Sequence, residues 1–141
     1  MFLLDTNVVS ELRKAPSGRA DANVVAWAGA CDPVAFHLSA ITVMELELGV
    51  ARKERIDPRA GATLRAWLDG KVLTEFARRV LPVDAIVAIR CARLHVPDPR
   101  PERDALIAAT ALVHGLTVVT RNLADFASTG VACHDPWRTV P

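Results

Sequence analysis

The sequence predicts an α/β protein, a mainly parallel five-stranded sheet with helices on both faces. Three observations predict it. Short apolar runs of strand length recur along the chain, the stretches between them carry helical spacing, and most runs end on a residue able to cap the helix that follows.

Taken in order, Phe2 to Leu4 is a short buried strand that ends at Asp5. Thr6-Asn7 then leads into a helical pattern through Leu12, broken by Pro16, Ser17 and Gly18. A second helix covers Ala20 to Ala30, and Val34 to Leu38 is the second strand. Ser39 is an N-cap for a helix reaching about Glu54. Asp57-Pro58 opens a long helical stretch from Arg59 to Arg79, with Gly70 placed to bend or divide it. Val80 to Val83 is a strand at a sheet edge, because Pro82 removes a ladder donor. Asp84 caps a helix to Leu94, and the loop from Val96 to Pro101 carries three prolines. An alanine-rich helix runs from Glu102 to His114 and is stopped by Gly115. Leu116 to Thr120 and Val131 to Cys133 are the last two strands.

A chain of 141 residues fits one domain, and 51% hydrophobic with 23% charged residues is the composition of a globular protein with a substantial core. Only three apolar residues follow Met1 before Asp5, too few for a signal-peptide core or a membrane span, so a cytoplasmic protein is expected. Cys31, Cys91 and Cys133 are widely spaced, with no CxxC pair, which argues against a disulfide framework or a zinc site. The net charge of +1 gives no overall field for a polyanion. The bias of 14 Arg over 3 Lys favours phosphate recognition, and biased codon usage would produce it equally well. His37, His95, His114 and His134 show no metal-ligand spacing and are read as structural. Trp27, Trp67 and Trp137 are assigned to core and interface packing, because no aromatic–basic interleaving surrounds them.

In open parallel sheets ligands bind beyond the carboxyl ends of the strands, near the point where strand order reverses. Asp5, Ser39, Asp84 and Thr120-Arg121-Asn122 all follow strand ends. Metal-assisted phosphodiester cleavage needs several hard oxygen ligands converging at such an edge. Asp5 is the first candidate, although capping of the first helix would also account for it. Glu45 lies between Ile41 and Leu48 on one helix face, where a carboxylate needs a partner. Glu47 points to the opposite side, yet Val43 and Val50 make this helix apolar nearly all round, so periodicity does not separate the two glutamates. Asp104 and Glu102 share the first turn of the alanine-rich helix and both suit its dipole. Asn122 or Asp125 closes the cluster.

Four blocks, LLDTNVVSEL, SAITVMELELGV, RDALIAATALVHGLTVVTRNLADF and the terminal DPW, resemble the PIN-domain VapC toxins, particularly their FitB-like branch. The blocks stand in the right order and run through essentially the whole chain. The resemblance implies one PIN domain over residues 1–141, with a PIN-like α/β/α sandwich. It also implies a Mg²⁺- or Mn²⁺-dependent endoribonuclease, the toxin of a type II toxin–antitoxin pair, which hydrolyses RNA with a metal-activated water. Carried over by position, Asp5, Glu45 and Asp104 organise the metal, and Thr6 supplies the hydroxyl beside the first acid. Arg121 is a candidate phosphate contact, with a salt bridge as the alternative. The fourth acidic position of many PIN domains falls on Asn122, which lowers the cluster's charge and weakens a second metal. Asp125 either compensates or caps the turn after Thr120-Arg121-Asn122.

The same resemblance implies a cognate VapB-type antitoxin, acidic and partly disordered, with operator DNA reached only through the antitoxin complex. It further implies a homodimer and no membrane association. The apolar faces of Val24 to Trp27 and Leu64 to Phe76 are offered to the dimer mate or the antitoxin. Two other readings are a catalytically weak PIN-fold module that binds RNA or a partner, and a phosphatase using Asp5 as nucleophile. The phosphatase reading needs a second aspartate where Asn7 stands.

Overall fold

Successive residues of the first strand, β1 (Phe2–Leu4), face opposite layers, as the two-residue repeat of a strand requires. Leu4 packs with Val8, Leu38, Leu46 and Leu68 on one side of the sheet, and Leu3 packs with Ile107, Ala108, Val118 and Phe126 on the other. Both leucines are essentially inaccessible to solvent. Burying such a side chain contributes about 1.5–3 kcal/mol, so the middle strand ties the two layers together. The structure, a computed structural model, describes residues 1–138; residues 139–141, the end of the expected single domain, lie outside the described residues.

After β1 come α1 (Thr6–Leu12), α2 (Ala22–Ala30), β2 (Phe36–Ser39), α3 (Ala40–Ile56) and α4 (Pro58–Trp67). A π turn at Leu68–Val72 and the short α5 (Leu73–Glu75) lead into β3 (Val80–Leu81). The chain continues through α6 (Ala85–Leu94), α7 (Glu102–His114), β4 (Thr117–Val119), α8 (Leu123–Phe126) and β5 (Cys133–His134). The sheet has five strands in the order β3-β2-β1-β4-β5, every pairing parallel. This is the expected α/β/α sandwich, with β3 on the edge where Pro82 allows it. Chain order proceeds from β1 outward to β2 and β3, then returns to the other flank of β1 with β4. The reversal point therefore lies between β1 and β4.

Capping follows sequence closely. Asp5, Asp21, Ser39, Asp57 and Asp84 each accept a backbone amide hydrogen bond at the start of a helix. Asp21 accepts from Asn23 and Val24, so α2 begins at Ala22, two residues later than expected. The second strand also starts later: Asp32 caps a 3₁₀ turn at Pro33–Ala35, where proline's fixed φ suits a turn better than a ladder. The long helix expected from Arg59 to Arg79 is divided at the π turn, which contains Gly70. The extra residue in that turn resets the helical phase, and Leu68, Val72 and Phe76 all reach the core. The fifth strand is displaced to Cys133–His134, where it pairs with Val118 and Val119.

α3 and α4 form a close antiparallel hairpin. A Cβ on Gly61 would lie 2.4 Å from Cα and 2.6 Å from the amide nitrogen of Glu54, so glycine alone permits this approach. Arg65 joins the two helices through Glu47 at 2.6 Å and Glu54 at 2.9 Å. On the opposite layer the buried alanines of α7 serve two contacts: Ala108 and Ala111 lie against the sheet, and Ala105 and Ala109 pack on Val87 and Cys91 of α6. Gly115 ends α7 with φ 66°, the left-handed conformation that glycine adopts without strain. Among the described residues no helix is long and apolar enough to cross a membrane.

Candidate active site

The β1–β4 register pairs Leu4 with Val119, so the next residues, Asp5 and Thr120, stand side by side at the reversal point. Asp5 is buried, and each of its carboxylate oxygens is engaged. One oxygen accepts from the Thr6 amide at 2.9 Å. The other accepts from the Thr120 hydroxyl at 2.9 Å and from Asn7 Nδ2 at 3.2 Å. Burial raises the Asp5 pKa, the hydrogen bonds from Thr120 and Thr6 oppose that rise, and the nearby Glu45 charge adds to it. Asp5 caps α1, and the same hydrogen bonds fix its carboxyl group at the sheet edge.

Glu45 reaches the same edge from α3. Its Oε1 accepts from the Thr6 hydroxyl at 2.9 Å, and its Oε2 lies 3.7 Å from Arg103 Nη1. Thr6 thus orients the second acid directly. Glu47 is bound to Arg65 on the exposed side of the α3–α4 hairpin. The ambiguity that helix periodicity left between the two glutamates is resolved by the neighbouring α1 and α4.

Asp104 enters from the first turn of α7, half-buried. Its carboxyl is pushed up to about 6, first by burial and then by the charges of Asp125, Asp5 and Glu45. Four carboxylates therefore act on one region. Glu102, the other acid of that turn, faces away, with Oε2 3.3 Å from His95 Nε2. Asp125, on α8, acts on Asp104 more strongly than the other carboxylates do. Asn122 is exposed; its amide donates to the Thr120 hydroxyl at 3.0 Å, and its side chain does not cap α8. Arg121 is exposed and donates its amide to Asn7 Oδ1 at 3.2 Å. Among the described residues its guanidinium makes no salt bridge, and it lies over the Trp137 ring at 5.3 Å from the centroid.

Thr120, Asn7 and Arg103 were missed as site residues by sequence reasoning. A hydroxyl immediately after a strand was the available signal for Thr120, but its use depends on β4 lying next to β1. Replacing Thr120 by valine, which keeps the shape, should cost about 1–2 kcal/mol in urea unfolding, because it leaves Asp5 and the Asn122 amide short of a partner. Thr120→Ser, which keeps the hydroxyl, should avoid most of that loss; equal stability of Thr120→Val and wild type would contradict the assignment.

The donor set is hard oxygen throughout, and mutually repelling carboxylates, of which only Glu45 faces an arginine, suit a divalent cation. Among the described residues, Asp5, Glu45 and Asp104 are not within 4.8 Å of one another as a group; Cys91, His95 and Glu102 are. That second trio is a clasp between α6 and α7. The Arg100 amide donates to His95 Nδ1 at 3.0 Å, which leaves the ring proton on Nε2, aimed at Glu102. No lone pair of that ring is then available for an ion between the three. Of the two apolar faces expected to await a partner, that of α2 is occupied within the chain: Val24 is buried, and Trp27 packs edge-to-face with Phe2 and tilted against Phe36 and His134. The Leu64 to Phe76 stretch does border an open groove, lined by Leu12, Phe36, Trp67 and Phe76 together with the charged Arg13, Lys71 and Glu75.

The acids thus gather at the reversal point of a parallel sheet, where open α/β domains bind their ligands. The PIN domain model matches residues 2–131, and the chain belongs to the PIN-domain family. It is 41% identical to the toxin FitB of Neisseria gonorrhoeae over 97% of this chain and 99% of that protein. It is 39% identical to the VapC ribonuclease Y4jK of Sinorhizobium fredii over 97% of this chain and 98% of that one. The crystal structure of FitAcB from Neisseria gonorrhoeae superposes with a TM-score of 0.89 and 38% identity, covering 99% of this chain and 100% of that one.

Proposed function

We propose that this PIN domain is the toxin ribonuclease of a VapBC-type toxin–antitoxin pair and that it cleaves RNA with Mg²⁺ or Mn²⁺. The observation that carries the reading is the convergence of Asp5, Glu45, Asp104 and Asp125 at the β1–β4 edge, with Asp104 pushed up to about 6. Its relatives named as toxin and ribonuclease match it end to end.

Asp5, Glu45 and Asp104 would hold the cation, and Asp125 adds negative charge where Asn122 offers only a carbonyl. When bound, the ion would relieve carboxylate repulsion, make water a stronger nucleophile at neutral pH and offset charge on the phosphoryl oxygens. The chain's own residues supply the geometry. Thr120, Asn7 and the Thr6 amide orient Asp5, while the Thr6 hydroxyl and Arg103 orient Glu45. Arg121 is placed to contact a phosphate. The antitoxin is assigned to the Leu12–Trp67–Phe76 groove, whose lining sets two cations, Arg13 and Lys71, against one acid, Glu75, a balance that suits an acidic partner. Operator DNA and a homodimer belong to the same reading.

The phosphatase reading has no support in the geometry: the position where it needs a second aspartate is Asn7, which donates a hydrogen bond to Asp5. The catalytically weak module draws on the Asn122 departure alone. Incubating the purified protein with total cellular RNA tests both readings. Cleavage should appear with Mg²⁺ or Mn²⁺, vanish with EDTA and return on adding metal. RNA binding without cleavage under any of these conditions would favour the non-catalytic module.

A further inference from the structure

Arg121 is anchored at both ends. Its amide is fixed to Asn7, which also donates to Asp5, so the start of the side chain is one residue from the acid cluster. Its guanidinium lies over Trp137. Trp137 is itself fixed: its amide donates to Asp135 Oδ1 at 2.9 Å and its carbonyl accepts from Asn23 Nδ2 at 2.8 Å. Among the described residues the guanidinium makes no hydrogen bond or salt bridge, so its N–H edge, the part that forks onto a phosphate, stays available while the ring holds the cation. The other arginine at the cluster, Arg103, faces Glu45 instead.

We propose that Trp137 is a positioning residue for RNA: by stacking under Arg121 it holds the guanidinium edge outward, ready for a backbone phosphate of a single strand that passes the acid cluster. This rests on the ribonuclease reading above. It also gives the C-terminal Asp135-Pro136-Trp137 turn a function at the site, where the sequence suggested packing alone. The gain is entropic, because a guanidinium already ordered loses less freedom when it binds.

The test is steady-state cleavage of a fluorescein-labelled, mixed-sequence single-stranded RNA oligonucleotide with Mg²⁺, at several salt concentrations. Trp137→Ala should raise KM about two- to fivefold with kcat nearly unchanged, the range expected for losing an exposed cation–π contact. Trp137→Phe should recover most of that loss. Arg121→Ala should raise KM more and reduce the salt dependence of log KM by about 0.7, the contribution of one phosphate on a single strand. The double variant Arg121→Ala/Trp137→Ala should be no worse than Arg121→Ala. Additive effects, an unchanged KM in Trp137→Ala, or a fall in kcat that tracks lost thermal stability would overturn the inference and leave the ribonuclease reading standing. Failure of the wild-type protein to cleave the oligonucleotide with any divalent metal would overturn both.

Discussion

Asp104→Asn is expected to reduce metal-dependent RNA cleavage by about a thousandfold, the scale of several kcal/mol of charge stabilisation. The same change should make the metal-free protein more stable at neutral pH. In the fold the Asp104 carboxyl titrates near 6, above its ordinary value of 3.8, because it is half-buried among Asp125, Asp5 and Glu45. A raised pKa means that the folded state holds the proton more tightly than the unfolded chain. The stability this contributes is complete below about pH 4 and is lost as pH rises through 6. Asparagine removes that loss. The gain is about 1 kcal/mol once solvent screening of a partly exposed group is allowed for. Urea unfolding in EDTA at pH 4.5 and 7 measures it: wild type should weaken across the interval and Asp104→Asn should weaken less. With Mg²⁺ added, wild type should recover stability and the variant should not. An active Asp104→Asn, or one destabilised at pH 7 in EDTA, would remove Asp104 from the site. Asp5→Asn should lose activity equally while the fold remains intact.

Gly61→Ala is expected to be the most damaging single methyl addition to the stability of the chain. The new carbon would lie 2.4 Å from Glu54 Cα, and backbone cannot yield as a side-chain tip does. Either α3 and α4 separate or their backbones distort, at about 2–3 kcal/mol. For a domain of this size that is a fall of roughly 8 °C in Tm. Gly49→Ala on α3 is the control: nothing lies within 4 Å of its added carbon, and alanine favours a helix over glycine by about 1 kcal/mol. Calorimetry should therefore show opposite signs for the two variants. Because α3 carries Glu45, Gly61→Ala should also lower cleavage, whereas Gly49→Ala should not. Equal Tm values for Gly61→Ala and wild type would show that the helices are not held this closely.

What the sequence by itself determined were the features encoded locally. Apolar runs, capping residues and a terminating glycine specified most elements, the edge position of β3 and the strand-end location of Asp5. The acids of α3 and α7 could be named only in pairs, because helical periodicity gives a direction relative to the helix axis and says nothing about the neighbour in that direction. Tertiary structure separated them: Arg65 claims Glu47, His95 claims Glu102, and Glu45 and Asp104 are left facing Asp5. The register between β1 and β4 is likewise non-local. It brings Thr120 onto Asp5 and Asn7, and the equally non-local β4–β5 pairing carries Trp137 to Arg121. Hydrogen bonds and charge interactions act over a few ångströms in space, and residues more than a hundred positions apart acquire that proximity only when the sheet forms.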